Sequence, residues 1–474
     1  MRDLDAELDE LTIPDLRDRL TGGRLTAEEL AETYRDRIRR LDPQLGAVLA
    51  EDPTAIAQAQ ASDRRRATGR DRGPLDGIPV LIKDNIDAIG LPGTAGSRAL
   101  LSSSPPTDSD VVRRLRHAGA VLLGSANLSE WANFRSERST SGWSAVCGQT
   151  ANPHVLDHNP SGSSSGSAAA VAAAFAQVTL GTETDGSITS PAGACGIVGL
   201  KPTLGRLSGT GIVPISGAQD TVGPLARTVH DVAITLGVLA EFEPETAELP
   251  GVRIGVWRLA GADHETDRVV EEAVTTLAAA GAEPVEVVLP YQPELGAAEW
   301  QAMISEFQPA LERYLRTRPG APRTLSEIIA FNAADPVELS LFGQDIFERA
   351  LAAAPLSDPR YRTSRRSAAS LGRRCLDETF KAYELDVILT PTNIPAWRTI
   401  YAAGDKDVLS SSSPAAVSGY PNISVPAGFA GPLPIGVSLI GQHNADPRLL
   451  ALAEAIESAL AARRPPRFLS SLPD

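Results

Sequence analysis

The sequence predicts an α/β fold: a mixed, largely parallel central sheet with helices on both faces. Two strand–helix–strand units carry this expectation. In the first, Ile78–Ile82 and Val121–Leu123 read as strands around a helix over Asp108–Ala118 that Gly119 closes. In the second, Val252–Trp257 and Val285–Leu289 flank a helical pattern over Thr266–Ala280. A crossover of that length joins parallel neighbours. The third observation is Val178–Leu180, a short apolar run between two small-residue loops.

The remaining elements follow in order. Residues 11–41 read as two helices. Thr26-Ala27-Glu28-Glu29 fits a capping box, and Leu30, Tyr34, Ile38 and Leu41 form an apolar stripe that suits core packing. Asp52-Pro53 reads as an N-cap followed by proline at the first helical position. Residues 125–160 are rich in Ser, Asn, Gly and Trp, and a loop that long inside a compact domain is usually functional. Trp131, Phe134 and Trp143 are candidate pocket residues, with ordinary core packing the commoner fate for each. Ser167–Ala176 predicts a helix, and Gly199–Pro224 a Gly/Pro-rich wrap before the helix Val229–Leu239. Residues 240–250 suit a surface linker, and 295–385 a helical section over the sheet that covers the pocket. Val387–Leu389, Ile423–Val425 and Ile435–Ile440 read as late strands, and Arg448–Ala462 as a closing helix.

At 474 residues the chain buries a large core without staples. The expected organisation is one domain over 1–474. Its sections are N-terminal helices (1–70), a chemistry-bearing core (71–240), an inserted strand–helix–strand and helical section (241–385), and C-terminal strands with a closing helix (386–474). A formal charge of −15 argues against nucleic-acid and anionic-membrane partners. Cys147, Cys195 and Cys375 are widely spaced, with neither metal-ligand spacing nor an even disulfide set, so a reducing compartment is expected. The acidic start Met1-Arg2-Asp3-Leu4-Asp5 is no signal peptide, and the longest apolar run, Ala168–Ala176, is too short to span a bilayer. The expectation is a soluble cytoplasmic protein.

The stretch from Ser161 to Thr203 carries the chemistry. It opens on Ser161-Gly162-Ser163-Ser164-Ser165-Gly166-Ser167, passes through an Ala/Val run to Gly181-Thr182-Glu183-Thr184-Asp185-Gly186-Ser187, and closes on Gly199-Leu200-Lys201-Pro202-Thr203. A flexible Ser/Gly linker would not run straight into apolar segments. Ser187 is the candidate nucleophile, because it follows Thr184-Asp185-Gly186 on a strand-to-loop exit where consecutive N–H groups can form a nest for an oxyanion. A free serine needs an adjacent base. The six histidines, His117, His154, His158, His230, His264 and His443, have no motif context, although His154 and His158 precede the serine loop. Lysine is the alternative base. Only Lys83, Lys201, Lys381 and Lys406 occur in a chain that otherwise uses Arg for positive charge. A buried lysine can be neutral near pH 7, whereas Arg cannot be deprotonated. The competing reading of Lys83 is a salt bridge at a strand end, with Asp84 as partner.

At these residues the chain resembles the amidase signature family, whose marks are a Gly/Ser loop, an Ala-rich helix, a second Gly/Ser loop and a Gly-Leu-Lys-Pro-Thr close. The family's earlier strand-end lysine is matched by Lys83 in Val80-Leu81-Ile82-Lys83-Asp84-Asn85. The form Thr184-Asp185-Gly186 is similar to the bacterial peptide amidase branch. That likeness extends over Asn127–Phe134, Ser141–Ala145, Ala310–Tyr314, Ile329–Asn332, Leu341–Gln344 and Ala462–Phe468. The resemblance implies the amidase signature fold and hydrolysis of a carboxamide through an acyl-enzyme on Ser187. It assigns Lys83 as base and the N–H groups of Thr184, Asp185, Gly186 and Ser187 as oxyanion donors. Composition leaves Ser163, Ser164 and Ser165 open as the proton relay, and the resemblance selects Ser163, 24 residues before Ser187 and preceded by a cis peptide bond. This serine–lysine chemistry requires no metal and no cofactor.

Family branches that act on small acid amides carry an Arg two or three residues after the nucleophile. Here Thr189 and Ser190 stand there, which implies a neutral acyl portion, as in a peptide with an amidated C-terminus. The expected partner is such a small-molecule or peptide amide. Two rival readings share the scaffold: an amidotransferase or acyl-transfer enzyme, and a non-catalytic binding protein.

Overall fold

The computed structural model describes residues 4–243, 245–401, 403–405, 409 and 411–473; Lys406 lies outside the described residues. The strands are β1 (Val48–Glu51), β2 (Pro79–Lys83), β3 (Val121–Ala126), β4 (Trp143–Ser144), β5 (Gly148–Gln149), β6 (Val178–Glu183), β7 (Val198–Lys201), β8 (Thr221–Ala226), β9 (Arg253–Val256), β10 (Glu283–Glu286), β11 (Val387–Pro391), β12 (Asn422–Ala430) and β13 (Leu433–Ile440). β4 and β5 form a separate small hairpin. The others make one eleven-stranded sheet in the order β1-β3-β2-β6-β8-β7-β12-β13-β11-β9-β10.

The sheet is mixed, and both expected strand–helix–strand units pair in parallel, β2 with β3 and β9 with β10. β2–β6 and β9–β11 are parallel as well. The strands that join these two blocks run antiparallel, as does the edge pair β1–β3. β2 and β6 are buried at every position. Successive side chains point to opposite faces, so burial without alternation means that both faces are covered.

The helix Ser165–Ala172, buried along its whole length, packs against β2, β3, β6 and β8. Its small residues set that close approach. A Cβ on Gly166 would fall 2.5 Å from the carbonyl oxygens of Ala47 and Asn127. The main core joins the sheet to the helices Ala27–Leu41, Ser165–Ala172, Val229–Ala240 and Asp446–Leu460. A second cluster, with Trp131, Phe134, Phe307, Leu311 and Phe347 at its heart, lies under the helices Gln292–Leu315, Leu325–Ala334 and Asp345–Leu351. This is the helical section expected over the pocket. No helix among the described residues is long and apolar enough to cross a membrane.

Local expectations meet the structure unevenly. The Thr26 capping box forms, with Glu29 N–H donating to Thr26 Oγ1 and Thr26 N–H to Glu29 Oε2. Asp52 is not an N-cap: it accepts from Thr54 N–H at 2.7 Å in a turn, and the helix begins at Ala55. Two strands, β7 and β8, run through the expected Gly/Pro wrap, and Pro224 sits opposite Leu180 in the ladder. Tertiary pairing there overrides the local preference of Gly and Pro for turns.

The β7–β8 junction generates a stability prediction. β7 and β8 pair at Val198↔Ala226 and Gly199↔Leu225, and beyond that point a Cβ on Gly223 would sit 1.9 Å from Leu200 O. A backbone carbonyl in a central strand has nowhere to go. Gly223→Ala is expected to cost about 1–3 kcal/mol in urea unfolding. Gly343→Ala, with nothing within 4 Å of its new Cβ, should stay within about 0.5 kcal/mol of wild type. Equal midpoints for the two variants would refute the close-approach account.

Candidate active site

Lys83 ends β2 and is completely buried. Its Nζ lies 2.8 Å from Ser163 Oγ, 3.0 Å from Ser164 Oγ, 2.9 Å from Thr182 Oγ1 and 3.1 Å from Thr182 O. Among the described residues no carboxylate is within ion-pair distance of it. Asp84, the competing partner, turns away to accept from Thr94 Oγ1 and from the N–H groups of Thr94 and Gly93. Burial pulls the Lys83 pKa well below the ordinary lysine value, and the more distant Glu183 and Asp220 charges oppose that pull.

The hydroxyls around Nζ have distinct duties. Ser164 Oγ donates to Thr182 O at 3.1 Å, and Thr182 Oγ1 accepts from Asn85 Nδ2 at 2.9 Å. Ser163 Oγ has no partner but Lys83 among the described residues. The Gly162–Ser163 peptide bond is cis, as the resemblance implies. The Ser163 carbonyl accepts from Ser129 N–H at 3.0 Å, and Ser164 N–H donates to Ser187 O at 3.0 Å. The second bond ties the Ser163 loop directly to the Ser187 loop.

The Ser187 loop leaves the carboxyl end of β6, which neighbours β2. Glu183, the last residue of β6, accepts at Oε2 from the N–H groups of Ile188 (2.7 Å) and Thr189 (3.0 Å). Those bonds bend the chain back on itself and leave the N–H groups of Asp185, Gly186 and Ser187 without acceptors among the described residues. Thr184 Oγ1 donates to Asp220 Oδ1 at 2.7 Å. The Asp185 carboxylate accepts from Ser412 Oγ and Ser413 Oγ, each at 2.6 Å. Gly186 has a φ of +78°, and a Cβ there would meet Ser190 Oγ and Ser412 Oγ at 3.0 Å. Ser187 is half-buried.

Ser187 opens onto a cavity of about 260 Å3 that Ser161, Gly162, Thr184, Asp185, Gly186, Ser190, Ser412 and Ser413 also line. A larger cavity of about 580 Å3 adjoins it, sharing Ala132, Thr184 and Ile215 and reaching Asn85, Thr182 and Asp220. Of the three candidate aromatics, only Phe134 lines the Ser187 cavity. Trp131 packs edge-on against Phe347 in the core, and Trp143 against Phe342. Thr189 is turned to Glu183, whereas Ser190 lines the cavity. His154 lies against Cys195 O at 3.1 Å, with burial lowering its pKa to about 4, and His158 pairs with Asp157 at 2.7 Å. Neither lines the Ser187 cavity.

Sequence reasoning missed Thr182 and Asn85 around Lys83, and Glu299 and Asp405 near Ser187, and it weighed Ser164 only as an alternative to Ser163. Thr182 and Ser164 lie inside the stretch already singled out, so proximity to the candidate serines was the available signal. Glu299 reaches Asp185 from the long helix Gln292–Leu315, and Asp405 lines the cavity from a distant loop; no local pattern marks either.

The arrangement defines a class before any particular relative. The family model for amidases matches residues 29–450, and the chain belongs to the amidase signature family. The enzyme class follows: an amidase, acting on amide C–N bonds. Among solved structures it is similar to the native peptide amidase of Stenotrophomonas maltophilia, at 44% identity and a TM-score of 0.91 over 97% of this chain and 99% of that one. It is also 37% identical to a probable amidase of Arabidopsis thaliana, over 98% of this chain and 92% of the relative. A glutamyl-tRNA(Gln) amidotransferase subunit of Roseiflexus sp. (strain RS-1) is 37% identical over 95% of this chain and 96% of the relative.

The Gly186 geometry is testable apart from any side-chain chemistry. Gly186→Ala places a Cβ at positive φ, worth about 1–2 kcal/mol of strain. It also displaces the loop whose N–H groups are free. We expect kcat to fall by about 100-fold, since misplacement by an ångström has that scale of effect. Wild-type kcat in this variant would show that the loop tolerates movement.

Proposed function

We propose that the chain hydrolyses the C-terminal carboxamide of a peptide, or a similar neutral amide, to a carboxylate and ammonia through an acyl-enzyme on Ser187. The observation that carries this reading is the Lys83–Ser163 contact at a buried lysine with no ion-pair partner among the described residues, joined by the Ser164–Ser187 backbone bond to the loop that bears Ser187. Ser187 Oγ attacks the carbonyl carbon. Its proton passes to Ser163 Oγ, and the Ser163 proton passes to the neutral Lys83 amine. The hydrogen-bond duties favour this direction: Ser164 gives its proton to Thr182 O, whereas the Ser163 hydroxyl has no partner but Nζ among the described residues, so a neutral Nζ can accept its proton. The N–H groups of Thr184, Asp185, Gly186 and Ser187 face the developing oxyanion. Protons return along the relay to the departing amine, and water then cleaves the ester by the same steps in reverse. The 44% identity to a peptide amidase and the absence of Arg at Thr189 and Ser190 support a substrate without a carboxylate beside the scissile bond.

The relatives called glutamyl-tRNA(Gln) amidotransferase favour a second reading, in which ammonia passes to an acceptor on a partner. Stoichiometric co-purification with a second polypeptide, and glutaminase activity that depends on it, would select that reading.

Two experiments test the proposed chemistry. Ser187→Ala should abolish both turnover of amidated peptides and covalent labelling by a fluorophosphonate while keeping the fold, because a member of a coupled catalytic unit takes nearly all activity with it. Wild-type-like turnover would sink the assignment. Lys83→Arg should be nearly as inactive as Lys83→Ala, since a guanidinium stays protonated and cannot accept the relayed proton. The sign of the pH dependence follows from the lowered pKa. Below it Lys83 is an ammonium and the enzyme is idle; above it the neutral amine works, so kcat/KM rises with pH on an acidic limb. An active Lys83→Arg with an unshifted limb would place the base elsewhere.

A further inference from the structure

The Ser187 cavity is lined by two carboxylates, Asp185 and Asp405, and by no Lys, Arg or His among the described residues. The two carboxylates are not equivalent. Asp185 is held by Ser412 and Ser413 and faces Glu299. Asp405 has a single protein partner among the described residues, Ser141, whose N–H donates to Oδ1 at 3.1 Å and whose Oγ donates to Oδ2 at 2.5 Å. It has no ion-pair partner among the described residues and is only half-buried.

Ser141 fixes the orientation of a third group. Its hydroxyl proton goes to Asp405, so Ser141 Oγ must accept from Asn133, and Asn133 Nδ2 lies 2.7 Å away. That assignment turns the Asn133 amide so that Oδ1 is left as an acceptor. Oδ1 is buried and has no partner among the described residues. Asn133 and Asp405 line the same cavity as Ser187. On one wall stand a carboxylate with no cationic partner and an amide oxygen with no donor among the described residues, and a primary ammonium has three N–H donors and the opposite charge.

Resting on the Ser187 acyl-enzyme reading, we propose that the Asp405–Asn133 wall receives a primary ammonium on the acyl side of the scissile carboxamide. The favoured substrates are then amino-acid amides and short peptide amides with a free amine. Asp405 is a specificity-determining residue that acts by charge on the acyl group and takes no part in the proton relay. Burial pushes its carboxyl above the usual range, and a docked ammonium would bring it back down. A carboxylate-bearing acyl group would meet the like charge of Asp405 there, which accords with the lack of Arg after Ser187.

The test uses leucinamide and its deamino isostere 4-methylpentanamide at pH 7, where the leucinamide amine is largely protonated. Wild type should favour leucinamide in kcat/KM by about tenfold or more. Asp405→Asn should bring that ratio close to one, chiefly through KM for leucinamide, while Asp405→Glu keeps part of it. Melting temperatures identify any variant that fails to fold, and Asp405→Glu then carries the comparison. A wild type that neither labels with a fluorophosphonate nor hydrolyses either amide overturns the acyl-enzyme reading and this inference with it. A labelled enzyme that leaves leucinamide untouched, shows no preference, or keeps its preference in Asp405→Asn overturns this inference alone.

Discussion

Everything in the site depends on burying one amine with no carboxylate in contact with it among the described residues. An ammonium removed from water is penalised by several kcal/mol unless a carboxylate pairs with it. At the end of β2 the protein offers Lys83 three hydroxyls and one carbonyl. These neutral partners satisfy an amine but do not stabilise an ammonium as a carboxylate would. The same surroundings therefore hold the side chain in place and lower its pKa. Asp84 shows how complete the separation is. It is adjacent in sequence and just as buried, yet its carboxylate is consumed by Thr94 and Gly93.

The sheet makes this environment possible. β2 and β6 are parallel neighbours, so Lys83 and Thr182 leave the same edge of the sheet, and the helix beginning at Ser165 packs across both strands. In open α/β sheets the carboxyl ends of strands are where ligands sit. The small-residue composition of the connecting helix serves the same end. A larger residue at Gly166 would meet the Ala47 and Asn127 backbone, and one at Gly181 would push Ser164 away from β6, since a Cβ on Gly181 would lie 2.8 Å from Ser164 Oγ. The run of Ser, Gly and Ala that resembles a linker in composition is tightly constrained on every side.

This explains which features were legible in the sequence. Lys83 and Ser187 could be proposed as candidates because their neighbours are local, a strand before Lys83 and a glycine before Ser187, whereas Ser163 was selected from Ser163, Ser164 and Ser165 only by the family resemblance. The paired strand–helix–strand units were legible for the same reason. β7 and β8 were not, because Gly199, Gly223 and Pro224 carry turn preferences, and only pairing with β6 and β12 makes them strands. Trp131 and Trp143 look like pocket residues by composition and become core through Phe347 and Phe342, which lie far along the chain. Asp405 and Glu299 join the site only through tertiary folding, so no local pattern could announce them.

For the proposed chemistry the loop after β6 presents an electrostatic problem. Glu183, Asp185, Asp220 and Glu299 all cluster around the peptide N–H groups that would meet a developing negative charge. Four full charges there would oppose an oxyanion. The structure answers in two ways. Burial raises the pKa of each: Asp220 is lifted to about 6, and Glu299, with Asp185 beside it, is driven well above the usual range. Their oxygens are also committed elsewhere, Glu183 to Ile188 and Thr189, Asp185 to Ser412 and Ser413, Asp220 to Thr184 and the N–H groups of Ile215 and Ser216, Glu299 to Gln219. Each carboxyl group thus fixes a neighbour of the loop while its own negative charge is reduced by protonation or drawn to other donors. Asp185, Gly186 and Ser187 keep their N–H groups unclaimed among the described residues. A loop held only by neutral side chains would be looser, and one held by free carboxylates would repel the oxyanion. Buried carboxyl groups with raised pKa values, each committed to its own donors, give a rigid loop with a modest local field, which is what preorganised stabilisation of an oxyanion requires.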